Sequence, residues 1–243
     1  MKTLKTEFAS LAFACALLSG CAGEDPAVAA KAAAEQAAAQ EAKAQEGAIA
    51  FDDAVKKENW SLAKAQADVL IAQYPDSAAA KRVRAEYDGI KRKLDETREA
   101  ACTAALWSYG TQSVKGGLQR SSAIYAKDNV DVDGTGPTQV RLIFRDHPDW
   151  GRSSYLVLQN GDFNCYGGCR VQIKLDGKPA KSLPGSRPKT DEAIAMFIED
   201  ERALWKMTKG AKTLEIEFPV KGLGKRSAVF EVAGLDPSRM PGW

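Results

Sequence analysis

The sequence predicts an α+β protein in which a helical N-terminal part precedes an antiparallel β domain. Residues 21–46 consist mainly of Ala, Glu, Gln and Lys, and residues 47–106 carry large apolar side chains at helical spacing. Residues 107–236 hold short runs of β-branched and aromatic residues between Gly, Pro, Asn and Asp, which indicates strands. We therefore expect a tether, a helical hairpin with a third helix, and a β-sandwich-like or small-barrel domain, with residues 237–243 as a tail.

Residues 1–20 have the features of a signal peptide. Lys2 and Lys5 precede an apolar run, Phe8 to Leu18, that is too short to span a bilayer. The run leads into Leu18-Ser19-Gly20-Cys21, an aliphatic residue, two small residues and a cysteine. This tetrapeptide resembles the lipobox of bacterial lipoproteins. The resemblance implies that Cys21 receives a diacylglyceryl group, that signal peptidase II cuts before it, and that the new amine is acylated.

The expected lipid on Cys21 determines where the protein resides. Several acyl chains, at about 0.8 kcal/mol per buried methylene, hold a protein stably on a membrane where one chain does not. Ala22 follows the cysteine in place of Asp, which resembles the outer-membrane routing signal of proteobacterial lipoproteins. We predict an outer-membrane lipoprotein that faces the periplasm. The alternative is an ordinary secretory leader that is cut at a small-residue site.

Charge gives no argument for a nucleic-acid partner. The whole chain has a formal net charge of +2, and removal of two lysines and one glutamate with the leader lowers it to +1. No other apolar run approaches eighteen residues, so we expect no transmembrane helix after the leader.

The segment 21–46 cannot bury a core, because Val28 is its only large apolar residue. The segment is rich in helix formers and can be helical as a solvated spacer. It has no Leu or Ile at heptad positions, which argues against a coiled coil. Breaks between the following helices are expected at Glu58–Ser61 and at Tyr74–Ser77, where Ser61 and Ser77 can cap the next helix. Helical spacing is shown by Phe51, Ala54, Val55, Leu62, Ala65, Val69, Leu70, Val83, Tyr87, Ile90 and Leu94.

A second resemblance lies in this helical segment. The residues that carry it are Phe51, Ala54, Asn59-Trp60, Ala63, Leu70, Tyr74-Pro75 and Ala79. Their order resembles a single tetratricopeptide-type repeat. One repeat is too few for a concave peptide groove, so a helical hairpin packed on its neighbours is the alternative.

Eight strands and one short helix are predicted in the β domain. The strands are Ser108–Val114, Ser122–Ala126, Gln139–Phe144, Tyr155–Gln159, Arg170–Leu175, Ala193–Ile198, Thr213–Phe218 and Ala228–Val232, and the helix is Asp200–Lys209. Several alternate polar and apolar residues, so each such strand covers a core on one side only.

Cysteine spacing predicts one disulfide. Cys165 and Cys169 flank a Gly-rich turn that brings their backbones close enough to bond in an oxidising periplasm. Cys102 is then free and is expected to be buried at the end of the third helix, although a bond between Cys102 and one of the other two is a competing possibility. A metal site formed by Cys165, Cys169, Cys102 and His147 is a further alternative, but a second ligand pair is missing as a motif.

Other motifs have both a structural and a functional interpretation. His147 is the only histidine and is expected in a solvent-facing turn; a hydrolase that uses Cys102 or His147 is an alternative function, without a supporting signature. Asn129–Gly134 begins like a calcium loop but has Val140 at the twelfth position, so we predict a tight turn.

The last candidate is a basic, proline-rich segment. Lys178 to Lys189, with three prolines, is expected to be an exposed loop that is either simply solvated or able to contact an anionic polymer.

These observations predict a non-enzymatic, lipid-anchored envelope lipoprotein that acts as an accessory, scaffold or binding module. Its expected partners are the membrane, through the lipid on Cys21, and an envelope protein. We predict no cofactor, metal, nucleic acid or small-molecule substrate. An envelope hydrolase and a module that binds peptidoglycan or another anionic polymer are the alternatives.

Overall fold

The computed structural model describes residues 25–188 and 195–243, and it confirms the α+β class. Three N-terminal helices are followed by a domain with a nine-stranded antiparallel sheet. The chain divides into two compact units, Met1–Ile90 and Lys91–Trp243. No helix in the described ranges is long and apolar enough to cross a membrane.

The first unit has a core formed by small and aromatic residues from three helices. The helices are α1 (Pro26–Lys56), α2 (Trp60–Gln73) and α3 (Ala78–Ala105). Phe51 of α1 and Leu70 of α2 are fully or almost fully buried in this core, together with Val83 of α3. Alanines at the contact positions let these helices pack closely, while the first turns of α1 are exposed.

The predicted tether is continuous with the packed part of α1. The helix runs through residue 46, and Ala44 is already fully buried. The carboxylate of Glu41 accepts hydrogen bonds from the backbone N–H groups of Ala78 and Ala79, at 2.8 and 3.2 Å. It thereby satisfies two of the free donors that every helix leaves at its N-terminus. The last turns of the predicted tether thus belong to the helical unit.

Helix caps agree only partly with the sequence prediction. Ser77 caps α3 as expected, since its hydroxyl accepts a hydrogen bond from the N–H of Ala80. The cap of α2 is Asn59, whose side chain accepts from the N–H of Leu62, and the prediction of Ser61 is wrong. The helix begins two residues earlier than a Ser61 cap requires, and Asn is as effective an N-cap residue as Ser.

The described part of the second unit contains eleven strands and a fourth α-helix. They are β1 (Trp107–Val114), β2 (Gly117–Tyr125), β3 (Val130–Asp131), β4 (Pro137–Thr138), β5 (Val140–His147), β6 (Gly151–Leu158), β7 (Cys169–Leu175), β8 (Lys178–Ser186), β9 (Ala195–Ile198), α4 (Glu201–Lys209), β10 (Thr213–Val220) and β11 (Gly224–Glu231). The main sheet has the order β1-β2-β5-β6-β9-β8-β7-β10-β11, and β3 pairs with β4 separately. All eight predicted strands overlap observed ones, although Ala193 and Ile194 lie outside the described residues.

One apolar core takes residues from strands along the whole sheet. Phe144 of β5, Leu156 of β6, Ile173 of β7 and Phe230 of β11 belong to it and are at most 1% exposed. Since strands from both ends of the order contribute to the same core, the sheet curves around that core. Trp205 of α4 packs edge-to-face on Phe144, with ring centroids 5.0 Å apart.

The prediction that Lys178–Lys189 is a loop is wrong for most of its length, although residues 178–181 are exposed as expected. Residues 178–186 form β8, which pairs with β7, and Arg187 is buried. The prolines are accommodated because Pro179 lies at a register shift beside Lys174, and because the described part of β8 pairs with β9 only at Gly185 and Ser186. Lys189 lies outside the described residues.

Residues 237–243, set apart in the sequence as a tail, pack on the β domain. A 3₁₀ turn, Pro237–Arg239, leads to Met240, which is buried. The indole of Trp243 contacts the indole of Trp205, with ring centroids 5.0 Å apart, and the ring of Phe144, with centroids 5.4 Å apart. The chain end therefore belongs to the core of this unit.

Candidate functional site

The cysteines occupy three different situations. Cys21 lies outside the described residues. Cys165 and Cys169 form a disulfide with Cα atoms 5.0 Å apart across the predicted Gly-rich turn. Cys102 is free as expected, but it is exposed, so the prediction of a buried thiol is wrong. The last three turns of α3 carry almost no buried side chains, which leaves Cys102 in solvent.

His147 is the last residue of β5 and not a residue of a solvent-facing turn. It is 6% exposed, and its ring stacks on that of Trp150 with centroids 3.9 Å apart. Its Nδ1 accepts hydrogen bonds from the backbone N–H groups of Asp149 and Trp150, at 3.1 and 3.4 Å. The strand extends three residues beyond the predicted Phe144, because His147 still pairs with Gly151 across the hairpin. Cys102 and His147 lie in different elements, and no hydrogen bond joins them within the described ranges.

The calcium-like segment forms a turn that its own side chains hold. Asp131 accepts hydrogen bonds from the N–H groups of Asp133 and Gly134, and Asp133 accepts from the N–H and hydroxyl of Thr135. The two bonds from Thr135, first of all the one from its hydroxyl, lower the pKa of the Asp133 carboxyl. The carboxylates are thus engaged with the backbone, and nowhere in the described ranges do three or more acidic, His or Cys side chains form a metal-binding group.

The outer face of β2, β5, β6 and β9 carries arginines and aromatic rings in adjacent rows. We name it the arginine–aromatic face and define it by Tyr125, Arg141, Ile143, Arg145, Trp150, Tyr155 and Phe197. Strand register places Tyr125 beside Arg141, Ile143 beside Tyr155, and Tyr155 beside Phe197. The opposite face of the same strands supplies core residues, so this one points outward.

Ring and guanidinium groups contact one another across this face. The Arg141 guanidinium lies 5.1 Å from the centre of the Tyr125 ring. That of Arg145 lies 5.3 Å from the ring of Trp150 and 5.4 Å from the ring of Tyr155. Both arrangements hold an arginine by cation–π attraction with its charge left available. Phe197 extends the row, with its ring 5.3 Å from that of Tyr155.

Neither arginine is neutralised by a carboxylate among the described residues. Arg141 donates a hydrogen bond to the Ser108 hydroxyl, at 3.1 Å, and the buried Nε groups of Arg141 and Arg145 have no acceptor in the described part of the chain. Burial raises the pKa of the Tyr155 phenol, and the positive charges of Arg145 and Arg141 oppose that shift. The face therefore combines positive charge with half-buried rings.

Trp150 is the most exposed part of the face. It is 70% exposed, and Tyr125 at the opposite side is 49% exposed. Exposed aromatic residues beside half-buried ones form the kind of patch that marks an interaction surface. The sequence pattern alone does not reveal this face. Arg141 and Ile143 alternate with core residues inside a predicted strand, but only the strand order brings Phe197 next to Tyr155.

Comparisons of the chain with protein-family models, with curated proteins and with solved structures find no match.

Proposed function

We propose that the protein is a non-enzymatic, lipid-anchored envelope lipoprotein that binds an envelope protein through the arginine–aromatic face. The observation that carries this proposal is the pair of arginines, Arg141 and Arg145, held on aromatic rings without a carboxylate partner among the described residues. Arg, Tyr and Trp are the residues that contribute most to the affinity of protein–protein interfaces.

The chemistry of the face specifies its occupant as a protein segment that mixes carboxylates with apolar side chains. Each guanidinium offers a fork of N–H donors that matches a carboxylate. Ile143, Tyr155 and Phe197 between the cations offer apolar contact to the side chains around such a carboxylate. A purely polyanionic polymer would use the charges and leave the rings in water.

Histidine chemistry gives little support to the hydrolase alternative. A general base needs a nitrogen that can accept a proton from the nucleophile. A neutral imidazole has a single acceptor nitrogen. In His147 that nitrogen is Nδ1, which already accepts backbone hydrogen bonds, and the ring is buried against Trp150. A binding role is the better proposal for the β domain.

The lipobox resemblance supports a membrane location for this binding function, and the lipid anchor has a direct test. We expect mass spectrometry of the protein from its own cells to find a chain that begins at Cys21 with a diacylglyceryl group and an acylated amine. An unmodified Cys21, or a chain that begins elsewhere, would contradict the lipid anchor without affecting the proposed face.

The binding proposal is tested by replacing both arginines. We expect the variant Arg141→Gln/Arg145→Gln to recover its crosslinked envelope partner at least tenfold less efficiently, since loss of even one well-placed charged contact costs about 1.4 kcal/mol or more. The matched control is Lys57→Gln/Lys115→Gln, which removes the same charge from exposed positions.

Two outcomes would contradict the proposal. Equal recovery by the arginine variant and the control would show that the face is not the binding surface. Salt-sensitive sedimentation with cell-wall material, lost equally in both variants, would instead favour the polymer-binding alternative.

A further inference from the structure

A second candidate site lies at α4, away from the arginine–aromatic face. A pocket of about 490 Å³ is lined by Arg152, Arg202, Trp205, Lys206, Lys209 and Trp243. We name it the basic indole pocket. Its volume falls in the range of small-molecule sites, and its lining joins four cations to two indole rings without an acidic residue.

Helix stability alone does not explain the cations. Lys206 and Lys209 lie in the last turn of α4, where a positive charge complements the helix dipole. Arg202 lies in the first turn, where the dipole disfavours a cation, and four residues before Lys206, where like charges repel. None of the three forms an ion pair within the described ranges. An anion in the pocket would offset both the unfavourable interaction of Arg202 with the helix dipole and its repulsion from Lys206.

The indoles add apolar walls. Trp205 is 3% exposed, its ring centre lies 5.0 Å from that of Trp243, and the Arg152 guanidinium lies 5.9 Å from the Trp243 ring. The Nε1 groups of both tryptophans are buried and have no acceptor among the described residues. Since these donors are covered by protein atoms, the rings offer a ligand in the pocket their carbon atoms and not these N–H groups.

We propose that the basic indole pocket binds a small organic anion in which a carboxylate, phosphate or sulfonate is attached to a flat or apolar body. The guanidinium and ammonium groups would hold the oxyanion, and the Trp243 ring would pack on the apolar body. The same chemistry occurs in a free solute and in the head group of an anionic lipid, and the experiment separates these two sources.

The test uses the aromatic sulfonate 8-anilinonaphthalene-1-sulfonate as the probe, titrated into the purified full chain. We expect saturable binding of one probe per chain, with energy transfer from tryptophan. The variant Arg202→Gln/Lys206→Gln should bind the probe at least tenfold more weakly, and Lys57→Gln/Lys115→Gln should bind it as the parent does. Trp243→Phe, which retains a ring, tests the apolar wall separately and should lower the transfer signal.

Competition identifies the source of the ligand. Displacement of the probe by phenyl phosphate and not by phosphatidylglycerol vesicles would indicate a free solute, and the reverse would indicate a lipid head group. Equal affinity of the double variant and the parent would overturn the proposal. So would an equal loss in the charge-matched control, because the probe would then respond to net charge alone.

Discussion

Replacing Arg187 by Gln is expected to destabilise the β domain by about 3 kcal/mol or more, as is typical when one partner of a buried ion pair is removed. The Arg187 side chain is 4% exposed, and its Nε donates to Oδ1 of Asp162 at 2.5 Å. A second donor, NH1, bonds the carbonyl of Pro188 at 2.8 Å, and the guanidinium lies 4.4 Å from the Tyr166 ring. Loss of the cation leaves the Asp162 carboxylate, 21% exposed, without its charge partner.

The position of this ion pair explains the size of the effect. Tyr166 donates a hydrogen bond to the second oxygen of Asp162, and the backbone N–H of Arg187 donates to the carbonyl of Cys165. The pair therefore ties the disulfide turn to the end of β8. Arg187→Lys should not restore full stability, because an ammonium cannot occupy several planar donor positions at once.

Urea unfolding followed by tryptophan fluorescence measures this effect in the full chain. Four of the five tryptophans, Trp107, Trp150, Trp205 and Trp243, lie in the β domain, so the signal reports on that unit. The control is Lys181→Gln, which removes an exposed ion pair with Asp200 and should cost at most about 1 kcal/mol. Equal losses in the two variants would contradict the structural role of Arg187.

Gly234→Ala is the second substitution with a large expected effect, a loss of about 3 kcal/mol. A Cβ added at Gly234 would overlap the backbone of Thr103 and Ala104 at the end of α3. Overpacking usually costs about 1 to 3 kcal/mol, and the upper end applies because backbone atoms cannot rotate away as a side chain can. The turn after β11 thus requires glycine because its backbone lies close to the backbone of α3, and not because of its backbone angles.

Gly167→Ala is the matched control for this substitution. A Cβ at Gly167 meets no atom within 4 Å, and its backbone conformation suits an L-residue, so the change should be neutral or slightly stabilising. Urea unfolding gives the difference in free energy. Hydrogen exchange of the Cys102–Leu106 amides should accelerate in Gly234→Ala alone. Unchanged exchange and stability would contradict the close contact.

Much of the β domain could be predicted because alternation is a local property. Leu214, Ile216 and Phe218 alternate with polar residues, and each is fully buried in β10. β8 was missed because its prolines and basic residues suppress the strand pattern, while its hydrogen bonds depend on β7. Cys102 is exposed because α3 continues beyond its residues that pack in the first unit. The spacing of apolar residues in the sequence does not reveal how far the helix continues.

The candidate sites were harder to predict than the fold, since both depend on long-range pairing. Arg145 meets Trp150 through a hairpin, but Phe197 joins Tyr155 only because β9 lies beside β6. The basic indole pocket likewise needs Trp243, which the sequence assigns to a tail, to pack on α4. Local patterns carry no information about such pairings.

The central claim, that the β domain binds an envelope protein through the arginine–aromatic face, is tested most directly by photo-crosslinking in intact cells. A photoreactive phenylalanine is placed at Trp150 on the face or, as the control, at Gln172, an exposed position on β7. We predict one protein adduct from position 150 whose crosslinked peptide contains Asp or Glu, its yield reduced at least tenfold by Arg141→Gln/Arg145→Gln. Equal adducts from both positions, or none from position 150, would contradict the claim.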